Sequence, residues 1–475
     1  MLTKAVIDHL QQKVGIGNVY HEREDLLVYG YDATPETRGL PDVAVFPVNV
    51  EGIKAALAVC REEGLSVTPR GAATGISGGS APVAGGMALG LTRMNRIIEI
   101  DEENLTATAE AGVITVDLFN AVASRGLFYP PDPGSQNVST LGGNIAENAG
   151  GLRGLKYGVT RNYVMALSGL LYDGTEFFTG GKCVKDVAGY SLRDLLVGSE
   201  GTLGIITEAT LRLIPPPQDK RTLLAYFRDI RTAGEAVSRI IAARIIPATM
   251  EIMDKMTINC VEDYAAIGLP RDMAALLLIE VDGHPAVVAE EAAGVRRVLE
   301  EVKADEVHQA ADATQAARLA AARRTALSAV ARVSPTTIIE DATVPRSCLA
   351  ETFAEIERLK EKYHVRVATY GHAGDGNLHP TAATDERNTQ EIANVHAFFS
   401  ELYDKVLAMG GTVSGEHGIG TAKKEYLLRQ LGEGGIGVMR RIKDAFDPSG
   451  RLNPGKIFSD KPIASTVRRS GGQDV

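Results

Sequence analysis

The sequence predicts an α+β protein of more than one domain, and three observations lead there. At 475 residues the chain exceeds the size at which a single hydrophobic core keeps growing. Its first half alternates short apolar runs with glycine-rich turns, whereas its second half sets longer helical patterns between strand-like runs. Between the halves stands Pro215-Pro216-Pro217, which can continue neither a helix nor a sheet ladder and marks a domain edge.

In chain order, MLTKAVIDHLQQKVG carries Val6, Leu10 and Val14 at helical spacing and reads as the first helix of the mature protein. It lacks the long apolar core and small-residue cleavage site of a signal peptide. A strand is expected at 43–46. A helix follows, with Ile53, Ala56, Leu57 and Cys60 on its buried stripe and Gly64 at its C-cap. Strands are then expected at 65–69 and 87–91. Beyond the prolines, strands at 222–227, 275–281, 336–343 and 365–370 are interleaved with helices near 231–243, 286–303, 310–333 and 346–362. The tail MRRIKDAFDPSGRLNPGKIF reads as a helix stopped by Pro448 and Gly450, then a turn-rich return strand.

Composition narrows the function classes. Hydrophobic residues at 44% and charged residues at 23% are globular values. A net charge of −10 argues against nucleic acid or an anionic membrane surface as partner. No run reaches the roughly 18 apolar residues of a membrane span. The four cysteines, Cys60, Cys183, Cys260 and Cys348, are scattered without a C-x-x-C pair, so neither a disulfide framework nor an iron-sulfur ligand set is expected. The expected location is the cytoplasm, with any membrane association peripheral and through a partner.

The densest glycine cluster is P-R-G-A-A-T-G-I-S-G-G-S, Pro69 to Ser80, between two expected strands. Glycines there permit positive φ and let successive N–H groups turn toward an anion such as a pyrophosphate. A long surface turn has the same composition, and the glycines alone do not decide between the two. The cluster is neither a Rossmann fingerprint nor a P-loop, because it opens no helix with G-x-G-x-x-G and closes with no G-K-[ST].

Three further segments follow: P-P-D-P-G-S with T-L-G-G-N-I-A-E-N-A-G-G between Pro130 and Gly151, K-Y-G-V-T-R-N-Y from Lys156, and D-L-L-V-G-S-E-G-T-L-G-I-I-T from Asp194. Together the motifs resemble the FAD-linked oxidase family of the vanillyl-alcohol oxidase type, in its branch of glycolate oxidase FAD subunits and D-lactate dehydrogenases. The resemblance spans about residues 20 to 460. It implies a two-part FAD-binding domain over 1–217 and an α+β cap, or substrate, domain with an antiparallel sheet over 218–430. Residues 431–475 would then pack back on the FAD domain.

By the same resemblance, the loop of Arg70, Gly71, Ala72, Ala73, Thr74 and Gly75, with Gly79, binds the FAD pyrophosphate through backbone amides. Pro131, Asp132, Ser135, Thr140, Gly142, Gly143 and Asn144 lie along the flavin and ribityl chain, and Glu200, Gly201 and Ile206 hold the adenosine half. No histidine occurs between His21 and His284, so the FAD is expected to be noncovalent.

The chemistry concentrates in Y-G-H-A-G-D-G-N-L-H, 370–379, and S-G-E-H-G-I-G, 414–420. If Asp375-Gly376 forms a two-residue hairpin turn, His372 and His379 become directly opposed on one sheet face, with Cβ atoms about 5 Å apart. That is a clamp for a divalent metal, which Glu416 could complete, with His417 beside it as a base. Histidines that merely cap turns are the plainer alternative. The resemblance implies a metal on His372, His379 and Glu416, His417 as the catalytic base and Asn377 near the flavin. Zinc, iron(II) and manganese all suit such ligands.

A substrate carboxylate calls for a guanidinium, and Arg323, Arg324 and Arg332 lie on an alanine-rich helix that could equally present them to solvent. The resemblance favours Arg323, with Arg332 retained as a second candidate. The expected function is oxidation of a small D-2-hydroxy acid, D-lactate or glycolate, to the 2-oxo acid. Electrons would pass to an iron-sulfur subunit, an electron-transfer flavoprotein or quinone. The alternatives are a metal-dependent hydrolase, which leaves the glycine-rich half unused, and a redox-neutral FAD enzyme of the same superfamily.

Overall fold

A computed structural model describes residues 2–459 and divides the chain into two compact units. The first comprises residues 2–150, 159–216 and 416–459, and the second residues 151–158 and 217–415. Of the expected return segment 431–475, residues 460–475 lie outside the described residues.

The first unit holds two sheets. In the four-stranded one, Val43–Val45, Met87–Gly90 and Val67–Arg70 run parallel, with Val19–Tyr20 antiparallel at the edge. The helix Val50–Glu63 covers it, capped by the Asn49 side chain on Gly52 N–H and ended by Gly64 in the left-handed region. Its Ile53, Ala56, Leu57 and Cys60 are fully buried, as the apolar spacing predicts. The second sheet is five-stranded and antiparallel, in the order Ile97–Asp101, Thr106–Glu110, Ile205–Arg212, Val164–Leu170, Glu176–Gly180. The expected C-terminal return strand reduces to a single bridge between Leu452 and Val67.

The second unit is an eight-stranded sheet whose pairings are all antiparallel. Alternation along its strands sends Leu223, Phe227, Ile252, Leu277, Val367 and Leu378 to one face. There they pack on the helices Ile230–Ala242, Pro285–Glu301, Leu349–Tyr363 and Thr389–Ala408. Each such side chain, fully buried, stabilises the fold by roughly 1.5–3 kcal/mol. The opposite face carries Leu224, Tyr226, Met253, Leu276 and Tyr370 against the helices Lys255–Ala265, Ala313–Arg324 and Ala326–Val330.

Two expected elements are interrupted. The helix expected near 310–333 breaks at Thr325, whose Oγ1 donates to the Ala322 carbonyl. The strand expected at 336–343 is split by Glu340 and Asp341 into Thr336–Ile339 and Ala342–Thr343. No helix among the described residues is long and apolar enough to cross a membrane. The architecture is α+β, with an antiparallel sheet in each unit.

Candidate active site

The second unit gathers a buried polar group on the sheet face that carries Tyr370. Strand Val367–His372 pairs with Asn377–Thr384 so that His372 faces Asn377 and Tyr370 faces His379. The turn between them is therefore four residues long, a 3-10 turn over Ala373–Asp375 closed by Gly376 at φ +77°. This corrects the two-residue turn expected from Asp375-Gly376. The two histidines are diagonal neighbours rather than directly opposed, yet they share one face, with ring centroids 5.1 Å apart. A Cβ on Gly376 would lie 2.0 Å from the Val344 carbonyl oxygen, so the tight turn requires glycine on two counts.

Two carboxylates stand behind these rings. Glu251 comes from strand Thr249–Asp254 and is fully buried. Its Oε1 lies 2.6 Å from His372 Nδ1, and its Oε2 lies 2.7 Å from a terminal nitrogen of Arg323. Burial pushes the Glu251 carboxyl up, but Arg323, His372 and His379 outweigh it and hold the group below its usual range. Arg323 sits in the last turn of Ala313–Arg324, 4% exposed, with its guanidinium over the Tyr370 ring at 4.8 Å. Its Nε makes no hydrogen bond among the described residues. Burial pushes the Tyr370 phenol up to about 12.

Asp341, from the split between the two short strands, accepts hydrogen bonds from Asn377 Nδ2, from Ser414 Oγ at 2.8 Å and from Gly415 N–H at 2.7 Å. Its Oδ1 is 3.9 Å from His379 Nδ1. Asn377 Nδ2 also donates to Thr343 Oγ1 at 2.6 Å, while its Oδ1 has no hydrogen-bond partner among the described residues. The structure thus brings Arg323, His372, Asn377 and His379 together. Arg332 is not among them: it is exposed and lies over the Tyr264 ring. Two imidazoles on one face, backed by carboxylates that can fix their tautomers, form a donor set suited to a divalent metal.

Glu416 and His417 follow Gly415 directly and open the last segment of the first unit. Just past them, the Ile419 and Gly420 amides donate to the two oxygens of Glu200 at 2.7 and 2.6 Å. A Cβ on Gly418 would lie 2.1 Å from Glu147 Oε2. Burial and the neighbouring Glu200 hold the Glu147 carboxyl well above its usual range.

The glycine-rich loop has the properties an anion cradle needs. From Gly71 to Gly78 no peptide N–H makes a hydrogen bond among the described residues, and Ala73 and Gly78 both have positive φ. Lys456, 2% exposed, donates to the Gly78 and Ala81 carbonyls, and buried Asn453 donates to the Gly79 carbonyl. These bonds turn the loop's carbonyls inward and away from a ligand. The Arg70 guanidinium donates to the Tyr29 and Tyr31 carbonyls and, at 3.5 Å, to the Ser80 carbonyl at the end of the loop.

The other flavin-motif residues hold the same neighbourhood. Thr140 caps the helix Leu141–Glu147, and a Cβ on Gly71 would lie 2.2 Å from its Oγ1. Gly142 packs against Ala111, and Asn144 donates to Thr115 Oγ1 at 2.7 Å. Pro131 and Asp132 are buried and Ser135 half-buried. Gly201 lies against the Pro69 ring, and Ile206 is buried on its strand. Glu251, Asp341, Tyr370, Glu147, Asn453 and Lys456 are site-forming residues that sequence reasoning missed.

Comparison with known proteins decides the family. Residues 41–180 match the FAD binding domain model and residues 216–457 match the model for the C-terminal domain of FAD linked oxidases. The chain belongs to the FAD-linked oxidase family. Within this family it is 50% identical to the glycolate oxidase subunit GlcD of Bacillus subtilis, over 97% of this chain and 98% of that one. It is 37% identical to a D-lactate dehydrogenase of Archaeoglobus fulgidus, over 90% and 95% of the two chains. Among solved structures, p-cresol methylhydroxylase superposes with a TM-score of 0.80 at 18% identity, over 96% of this chain and 97% of that one. A 4-ethylphenol oxidase from Gulosibacter chungangensis gives 0.77 at 18% identity, with 96% of each chain covered. This FAD-linked oxidase is therefore an oxidoreductase that uses FAD, and its unpaired loop amides fit that cofactor.

Proposed function

We propose that this chain is a dehydrogenase of small D-2-hydroxy acids, D-lactate or glycolate, forming the 2-oxo acid. The observation that carries the reading is the buried imidazole, carboxylate and guanidinium group on the second unit's sheet, in a chain otherwise committed to flavin. The names of its relatives, glycolate oxidase subunit and D-lactate dehydrogenase, support it. The assignment of 1–217 to flavin binding and 218–430 to substrate is part of the same proposal, as is a cytoplasmic location.

FAD, when bound, supplies the acceptor for the hydride of substrate C2. A divalent metal, zinc, iron(II) or manganese, would be held by His372, His379 and Glu416 and would make a chelated hydroxyl more acidic. Arg323 binds the substrate carboxylate through guanidinium N–H groups not engaged by Glu251. His417 takes the 2-hydroxyl proton on a ring nitrogen. Asn377, tethered through Nδ2, offers Oδ1 to a substrate donor. Burial of Glu251, His372 and His379 keeps bulk water from competing for these contacts. Electrons then leave for a separate acceptor, an iron-sulfur subunit, an electron-transfer flavoprotein or quinone. A hydrolase built on the same histidines would leave the FAD-binding half without a role.

The test is an anaerobic absorbance spectrum of the purified protein before and after D-lactate, L-lactate, glycolate and D-2-hydroxyglutarate are added separately. Bleaching of the flavin band by D-lactate or glycolate is expected. A flavin band that none of the four bleaches overturns the substrate class.

A further inference from the structure

The geometry points to Glu251 as a positioning residue and specificity determinant: one carboxylate orients His372 as a ligand and sets where Arg323 meets the substrate, fixing a spacing that favours 2-hydroxy over 3-hydroxy acids. The inference rests on the substrate reading above and deepens it.

Glu251 lies on an interior strand of the eight-stranded sheet, between Met250 and Ile252, and is 0% exposed. A charged group there is tolerated only when paired, and each oxygen has its own cationic or imidazole partner. Because the acceptor on His372 Nδ1 is a carboxylate oxygen at 2.6 Å, Nδ1 is the donor of this pair and Nε2 is the nitrogen through which the ring would ligate a metal. A histidine so held presents a single ligating nitrogen in a single ring orientation. The other oxygen, 2.7 Å from Arg323, holds the guanidinium over Tyr370.

One side chain therefore sets the separation between the ligating imidazole and the carboxylate anchor. In a 2-hydroxy acid the hydroxyl and carboxylate are borne by adjacent carbons, and in a 3-hydroxy acid one more carbon separates them. A fixed spacing distinguishes the two, whereas two independently mobile groups would adapt to either. Nothing in the local sequence T-M-E-I-M-D announces this role, which arises only from strand pairing.

The test uses the FAD-loaded enzyme stripped of metal and titrated with Zn²⁺ or Mn²⁺ alone, followed by kinetics with glycolate and 3-hydroxypropionate. Glu251→Gln is expected to weaken metal binding by about 10–100-fold, to raise KM and to lower kcat. Glu251→Asp keeps the charge but retracts it by one methylene. It should recover most of the metal affinity, yet lose roughly tenfold or more in the kcat/KM preference for glycolate. Wild-type metal affinity in Glu251→Gln, or a wild-type preference in Glu251→Asp, overturns the inference. Glu251→Asp carries the test alone if burial of an uncompensated Arg323 prevents Glu251→Gln from folding. A His372→Ala control separates the two failures: if that variant still binds metal normally, the metal reading itself is at fault, not the role of Glu251.

Discussion

The two units prepare for ligands in different ways. In the first, the main chain does it: a run of amides from Gly71 to Gly78 unpaired among the described residues, with the loop's carbonyls tied back by Lys456 and Asn453. In the second, side chains on a rigid sheet do it, each locked by another, as Glu251 locks His372 and Arg323 and Asp341 locks Asn377. A backbone cradle tolerates changes of side chain but not an added Cβ. A side-chain cluster tolerates neither loss of charge nor loss of a ring nitrogen. The contrast suits the proposed division, in which the first unit grips a large cofactor and the second discriminates among small acids.

Removing the proposed catalytic and metal-binding histidines should give the largest effect. His417→Ala is expected to retain FAD and lose about 10²–10⁴-fold in hydroxy-acid-dependent flavin reduction, measured by stopped-flow absorbance. His372→Ala should retain FAD while losing metal, read by elemental analysis, together with reduction. Normal reduction in both variants would sink the catalytic assignment.

Next comes the cradle. Gly71→Ala places a methyl against Thr140 Oγ1, and the expected cost to FAD binding is about 1–3 kcal/mol. Its metal content should be unchanged. Loss of metal in this variant would show that the units are not independent in this respect.

A comparable cost, in stability rather than in FAD binding, is expected from Lys456→Met, which removes the bonds to the Gly78 and Ala81 carbonyls and should cost about 1–3 kcal/mol. The Lys456 ammonium is pushed down from 10.5 to about 8, first by burial, against the pull of Asp32 and Glu200. Between those values the unfolded chain holds a proton that the folded chain has released. Stability from this group therefore rises with pH across that window. Denaturation midpoints from pH 8 to 10.5 should rise less steeply in Lys456→Met than in the parent. The smallest effect belongs to Arg332→Ala, at the exposed site over Tyr264, which should leave KM unchanged and stability within about 0.5 kcal/mol. A raised KM there would shift the carboxylate anchor away from Arg323.

Much of this was legible in advance. Helical spacing placed Val50–Glu63 and its glycine cap, and the spacing of His372 and His379 put both on one face even though the turn between them is longer than expected. What escaped detection depends on pairing between distant strands. Glu251 is a lone acid in an apolar run, and only strand registration brings it to His372, 121 residues away in sequence. Arg323 and Arg332 could not be separated on an alanine-rich helix with little amphipathic signal, and the break at Thr325 parts their surroundings. The tail's helix was expected, but the roles of Asn453 and Lys456 beneath the glycine loop were not, because a buried lysine on carbonyl oxygens has no local signature.

The attachment of Lys456 to Gly78 also bears on how the protein can be made. The contact spans 378 residues, and the first unit is assembled from three stretches of chain separated by the second. On a ribosome the glycine loop emerges early, whereas the side chains that hold its carbonyls are among the last described residues to appear. A fragment ending at the prolines would contain the whole glycine loop and the flavin motifs yet lack the lysine and asparagine that shape the loop. The bonds that turn the loop's carbonyls therefore form only after residues 453 and 456 have been made.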